Sequence, residues 1–392
     1  MNKYMKILED LIKIESVNNY EELVADYILD LFKDYENVET ETVVSYPGRN
    51  NIIVKVKGKT AAEDSKIFAF SGHLDVVAPG EGWTHGPFSA EVIDNKMYGR
   101  GTADMKAGVA ASLCAILDII ESGQDFPGEI WFLGTVGEEV GMQGALDLVE
   151  GGYLDDVDAI IIPEPTKRDD ESQAIFASKG SIMYTISAQG KAAHSSMPEL
   201  GINAIMTAVD YIDKVQEQFD EVTADPNYQN KNLGSTINVF SMIEGGIQVN
   251  SVPDKLVLKG NTRTVPEFGS EEATKIFEDA IKANNMDDSK AKLSIEYDQL
   301  LDPAEAQKDN ELIRSLIAAA PNKNVQVRPL IGTCELSRYI NISEKIQLVV
   351  YGPGLTKNAH IVDEYVELDE YFDTIEIFKK LALNFLRGES CK

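Results

Sequence analysis

Short apolar runs alternating with helical patterns constrain this chain more than any other feature. The runs at 52–56, 67–70, 129–136, 158–162 and 347–351 are bounded by glycine, proline or charged residues. They are strand-length and read as buried strands. Segments of helix composition lie between and after them, at 105–120, near 145–149, at 312–319 and at 375–386. Two more helical segments open the chain, with Ile7, Leu8, Leu11 and Ile12, then Leu23, Ala25, Ile28 and Leu31, on their apolar faces. Strands separated by helices imply an α/β fold, a mostly parallel sheet with helices on both faces.

Between Lys179 and Asp298 the rhythm changes. Strand-like stretches at 181–188, 235–242, 255–264 and 292–297 enclose helical ones at 203–218 and 271–283. That β-α-β-β-α-β order is the split pattern of a small ferredoxin-like α+β domain. The expected organisation is one domain in two parts, 1–178 and 299–392, with a second domain inserted at 179–298. A chain of 392 residues is long enough for both.

Composition removes several function classes. With 36 basic and 65 acidic residues the formal charge is −29, which disfavours phosphate backbones and anionic membrane surfaces. A hydrophobic content of 43% supports a core rather than disorder. Glu9 and Asp10 interrupt the first apolar pairs, so a secretory h-region is not expected, and no window approaches a membrane span. Cys114, Cys334 and Cys391 are scattered without CxxC spacing, which fits a reducing compartment. The expectation is a cytoplasmic globular protein without nucleic-acid or membrane partners.

The chemistry-bearing residues gather at strand ends. Ser71-Gly72-His73-Leu74-Asp75 closes one strand, with Asp75 placed to orient the His73 ring; a hydrogen-bonded loop histidine is the alternative. Gly99-Arg100-Gly101-Thr102-Ala103-Asp104 imitates a dinucleotide fingerprint, but Asp104 stands at the third glycine, where it would repel a pyrophosphate. A turn with Asp104 as helix N-cap is the other reading. Glu138 and Glu139 follow a third strand, and Glu164 lies between Pro163 and Pro165 after a fourth. His360 follows the last, whereas His194 lies in the inserted segment. His73, Asp104, Glu139, Glu164 and His360 thus offer two imidazoles and three carboxylates on one sheet rim. Without cysteine, that set suits a pair of borderline metals sharing a carboxylate, as in two-metal hydrolases.

With these motifs the sequence resembles the M20 metallopeptidase family, which includes acetylornithine deacetylase, succinyl-diaminopimelate desuccinylase, aminoacylase and glutamate carboxypeptidases. The carrying segments are SGHLDVVAPGEGW at 71–83, GRGTADMKAG at 99–108, GEEVG at 137–141, PEPT at 163–166, AHSSMPELGINAI at 193–205, GGIQVNSVPD at 245–254 and YGPGLTKNAHIVDEYV at 351–366. The resemblance implies a di-metal hydrolase domain with an inserted lid and dimerisation domain. It makes His73 and Glu164 ligands of one metal, Glu139 and His360 of the other, and Asp104 the bridge, with the bond after Asp104 often cis. Zinc is the expected metal, with cobalt or manganese as alternatives. It implies Asp75 behind His73 and Glu138 as general base. It also implies His194 as the oxyanion donor that reaches a partner subunit in dimeric members, Asn250 near the substrate, and Arg263 on a carboxylate. Two segments depart from the family. Asn261-Thr262-Arg263 stands where Asp-x-Arg is usual, and Gly332-Thr333-Cys334-Glu335-Leu336-Ser337-Arg338 is an altered, longer version of a substrate-contacting stretch, leaving Arg338 as a candidate carboxylate anchor.

The implied activity is removal of the acyl group from an N-acyl amino acid by metal-activated water, with Glu138 as base. A dipeptidase or carboxypeptidase acting on short peptides with the same metals is the alternative. A regulator that has lost catalysis is disfavoured by the intact ligands, Glu138 and His194.

Overall fold

The computed structural model describes residues 2–61, 65–169 and 171–389, so Cys391 lies outside the described residues. The chain forms two units: one contains the chain up to Phe176, Ala306–Arg328 and the part from Cys334 on, the other Ala177–Glu305 and Pro329–Thr333.

The first unit is built on a mixed sheet. Its strands lie side by side in the order Val38–Tyr46, Arg49–Lys57, Glu129–Thr135, Ile67–His73, Ala159–Lys167, Gln347–Leu355 and Ser172–Ser178. The central four are parallel and the flanking ones antiparallel. The parallel strands are the near-continuously buried ones, because helices cover them. Helix Lys106–Ser122 is buried along most of its length. Helix Leu368–Arg387 sets Phe378 against Phe70, ring centroids 5.2 Å apart, and Phe385 against Phe68 at 5.8 Å.

One close approach explains a glycine. A Cβ on Gly108 would lie 1.9 Å from the carbonyl oxygen of Pro163, and one on Gly352 2.2 Å from the same atom. Helix 106–122 and strand 347–355 therefore both crowd the backbone beside Glu164, and no larger residue fits without displacing it.

Parallel strands point their C-terminal ends to one rim, which is where an open α/β sheet binds ligands. His73 ends its strand, Glu138 follows Thr135, Glu164 lies near the end of Ala159–Lys167, and His360 follows Gln347–Leu355.

The second unit has a four-stranded antiparallel sheet in the order Ile237–Gly245, Lys255–Arg263, Ser181–Gln189, Lys292–Leu301. With helices Ala204–Ala224 and Ser270–Asn285 this is the ferredoxin-like arrangement. Ile182, Tyr184, Ile186, Leu256, Leu258 and Leu293 form the covered face, packed with Tyr211, Val215, Phe219 and Phe277. The edge strand Ile237–Gly245 keeps Ile237, Val239, Met242 and Ile243 exposed.

No helix among the described residues is long and apolar enough to cross a membrane. Cys114 and Cys334 are free and buried.

Candidate metal centre

Asp104 is the hub. Its Oδ1 lies 3.0 Å from His73 Nε2, and its Oδ2 lies 3.3 Å from His360 Nε2. Each imidazole has a second carboxylate, Glu164 at 3.8 Å from His73 and Glu139 at 2.9 Å from His360. The potential donor atoms of His73, Asp104 and Glu164 lie within 4.8 Å of one another, as do those of Asp104, Glu139 and His360. His73, Glu138 and Glu139 form a third such group. The structure thus brings together the five expected ligands and Glu138.

The peptide between Asp104 and Met105 is cis, and His360 sits at φ 64°, in the left-handed region. Met105, not Asp104, precedes helix Lys106–Ser122, and the helix has no side-chain cap, so the N-cap alternative for Asp104 fails: its carboxylate faces the imidazoles. Glu138 and Glu139 sit on a single 3-10 turn between Gly137 and Gly141 rather than on an extended strand end.

Asp75 does more than the orienting of the His73 ring that the sequence led one to expect. The His73 Nδ1–H donates to the backbone carbonyl of Asp75 at 2.9 Å, with the Asp75 carboxylate at 3.5 Å. This leaves Nε2 directed at Asp104 and Glu164. The carboxylate accepts the N–H groups of Glu138 and Glu139, both at 3.2 Å. Asp75 therefore ties the His73 strand to the turn that bears both glutamates.

The electrostatics are those of a site short of positive charge. Burial pushes the Glu138 carboxyl well above its ordinary value, and the negative charges of Glu139, Asp104 and Asp75 add to this against the pull of His73. Burial does the same to Glu164, reinforced by Asp104. Burial opposes protonation of His73, yet hydrogen bonds to Asp104 and Asp75 and the charge of Glu164 hold it well above the usual imidazole value. Hydrogen bonds to Asp104 and Glu139 raise His360 to about 10. Burial also opposes ionisation of Asp104, but the two imidazoles outweigh it and hold its carboxyl well below the usual range. The clustered carboxylates with two aimed imidazoles fit a pair of cations.

Around this cluster lie groups that the sequence did not single out. Glu364 accepts the N–H of Ala103 at 2.7 Å and of Asp104 at 3.0 Å. Buried Lys106 donates to the carbonyls of Leu11 and Ile14 at 2.9 and 2.7 Å, anchoring the end of helix Lys3–Lys13, and burial lowers it to about 7. In the altered 332–338 segment, Glu335 is fully buried, accepts from Ser71 at 3.3 Å, and is raised by burial to about 7. Only spacing behind a ligand hints at Glu364, and nothing in the sequence marks Glu335. Arg338 donates to the Gly141 carbonyl at 3.0 Å, at the end of the glutamate turn.

His194, Asn250 and Arg263 belong to the second unit. His194 pairs with Ser251, and the Ser195 N–H donates to the Asn250 carbonyl at 3.1 Å, so His194 and Asn250 are neighbours. Arg263 ends the strand that begins at Lys255 and is not with them. Its guanidinium is half-buried and makes no hydrogen bond or ion pair among the described residues; burial lowers its pKa. Lys179 is close by, next to the Gly180–Thr264 backbone hydrogen bond, and is held below the ordinary lysine value by burial and then by Arg263.

Comparison with known proteins decides the family. Residues 69–384 match peptidase family M20/M25/M40. The chain belongs to that family. A probable succinyl-diaminopimelate desuccinylase of Staphylococcus epidermidis is 34% identical over 408 residues, covering 97% of each chain. Among solved structures, an M20 family metallo-carboxypeptidase from Sulfolobus solfataricus shares the fold at TM-score 0.79 and 17% identity, covering 99% of this chain and 100% of its own. A dinuclear metal-binding M20 peptidase from Bacillus subtilis does so at TM-score 0.68 and 16% identity, covering 98% of each. The M20 chain described here is therefore a hydrolase of amide bonds with an α/β domain and an inserted α+β domain.

Proposed function

We propose that this M20 enzyme removes the acyl group from an N-acyl amino acid, in the manner of a succinyl-diaminopimelate desuccinylase or an acetylornithine deacetylase. The observation that carries this is Glu138, a half-buried carboxylate set among the five ligand candidates. Support for the substrate class comes from the desuccinylase relative. It also comes from half-buried Arg263 and buried Lys179, cations with no carboxylate partner among the described residues in a chain of net charge −29.

His73, Asp104 and Glu164 would hold one metal and Asp104, Glu139 and His360 the other, with zinc the first choice and cobalt or manganese compatible with the same donors. Bound there, the metals supply Lewis acidity that acidifies water and polarises the acyl oxygen. Glu138 takes the proton from the attacking water. It then delivers that proton to the leaving nitrogen, and the second proton of the water passes to the amine as well, so the acyl group departs as a carboxylate and the amino acid as an ammonium. The backbone N–H anchors on Asp75 keep the turn rigid while the proton moves. His194 donates to the oxyanion, and Asn250, Arg263 and Arg338 engage the substrate, the arginines through its carboxylates.

We also infer a homodimer through the inserted unit. The nine-residue strand Lys255–Arg263 spans roughly 26 Å at 3.3 Å per residue. Arg263 stands at one end, and His194 and Asn250 lie beyond the other. One substrate meeting all three would need two copies of the chain. The outer edge of strand Ile237–Gly245, without a strand partner among the described residues and with Val239, Met242 and Ile243 exposed, offers the surface for the second.

A substrate panel tests the reading. N-succinyl and N-acetyl amino acids are expected to exceed unblocked dipeptides in kcat/KM by at least about a hundredfold. Preference for unblocked dipeptides or C-terminal residues of peptides would instead support the dipeptidase or carboxypeptidase alternative.

A further inference from the structure

The loop that carries His360 turns back four residues later to place Glu364 beneath Asp104. Glu364 is fully buried and belongs to none of the clusters that could hold a metal. One carboxylate oxygen accepts the N–H groups of Ala103 and Asp104. The other accepts from the guanidinium of Arg100, itself 2% exposed and stacked over Trp83 at 5.2 Å. The Glu364 backbone carbonyl accepts the Gly99 N–H at 2.9 Å. Asp363 accepts the N–H of Thr84 at 2.8 Å and of His85 at 3.3 Å. Asn358 closes the loop on itself by donating to the Tyr365 carbonyl at 3.1 Å.

Asp104 and His360 come from segments more than 250 residues apart in the chain, and their side chains meet at 3.3 Å. A residue that grips the backbone of one while sitting in the loop of the other fixes that distance. An apolar side chain at 364 would leave the Ala103 and Asp104 N–H groups and the Arg100 charge without their acceptor. We propose that Glu364, with Arg100 as its counter-charge, is a positioning pair. It sets Asp104 against His360 and so tunes the metal affinity of the Asp104, Glu139 and His360 site. The inference rests on the di-metal reading above.

Cobalt(II) titration of the full-length protein, freed of metal beforehand, tests it. Uptake is followed by competition with a chromophoric chelator and by visible absorption. Wild type is expected to take up two equivalents. Glu364→Gln should weaken one of them roughly 10–100-fold, the range seen when partners of metal ligands are removed. The other equivalent, which shares Asp104 but not the loop that carries Glu364, should be weakened much less, and the cobalt spectrum should shift. At subsaturating metal kcat should fall with KM unaltered, and excess metal should restore most of it. Arg100→Gln leaves the acceptor but removes its counter-charge, and is expected to weaken the same equivalent less. It also serves if Glu364→Gln does not fold. Two equivalents bound as in wild type by either folded variant, with only the thermal midpoint lowered, would make the pair merely structural and overturn the proposal. Wild type that takes up no cobalt would overturn the di-metal reading itself, and this inference with it.

Discussion

Replacement of Glu138 by glutamine is expected to leave both metals in place and to lower kcat by a hundred- to ten-thousand-fold, the usual worth of a positioned acid–base group, about 3–5 kcal/mol. Glutamine fills the same space and cannot take a proton. The turn should survive, because what holds it is the pair of N–H bonds from residues 138 and 139 to Asp75, which are backbone groups. KM should change little, since the interaction lost belongs to the transition state rather than to substrate binding. Metal content and turnover measured on one preparation give the answer. Undiminished turnover would remove Glu138 from the proton path, and loss of metal would make it a ligand.

Asp104→Asn is expected to have a different signature. Asp104 faces both imidazoles, one through each oxygen, so a single substitution weakens both halves of the centre. The amide keeps the volume but not the charge. Metal content should drop for both equivalents, and turnover should fall about a thousandfold or more as the several kcal/mol of Lewis-acid stabilisation is lost. Retention of one tight equivalent with the other lost would show that Asp104 serves a single ion. Elemental analysis after dialysis separates these outcomes.

The ligand residues were legible because each sits where the chain changes character. His73, Glu138, Glu139 and Glu164 stand at or just past the ends of apolar runs and close to glycine or proline, and His360 comes after the last such run, so polar side chains there read as a rim rather than a core. Asp104 was legible by conflict, an acid in the place of a phosphate-binding glycine. The split βαβ order of the inserted unit was readable for a similar reason, since its strands alternate and its helices are amphipathic. Strand Val38–Tyr46 was not readable. It is an edge strand with a single fully buried residue, Val43, so it lacks the apolar run that marks the central strands. Glu364 and Glu335 were hidden by number, two acids among 65, and their meaning comes from contacts with Ala103, Asp104, Arg100 and Ser71 that are distant in the chain. The role of Asp75 was half visible: its place two residues beyond His73 implied a ring partner, and its carboxylate lies 3.5 Å from that ring, but nothing showed that it also holds the next turn.

The central claim is that this cluster is a metal centre that hydrolyses the amide of an acylated amino acid. The most direct measurement strips the protein with chelator and follows hydrolysis of an N-succinyl amino acid as zinc or cobalt is returned by fractions of an equivalent. The account predicts negligible hydrolysis by the stripped protein and activity that rises with added metal until two equivalents are bound. Full hydrolysis by the metal-free protein, or none at any metal loading, would contradict it.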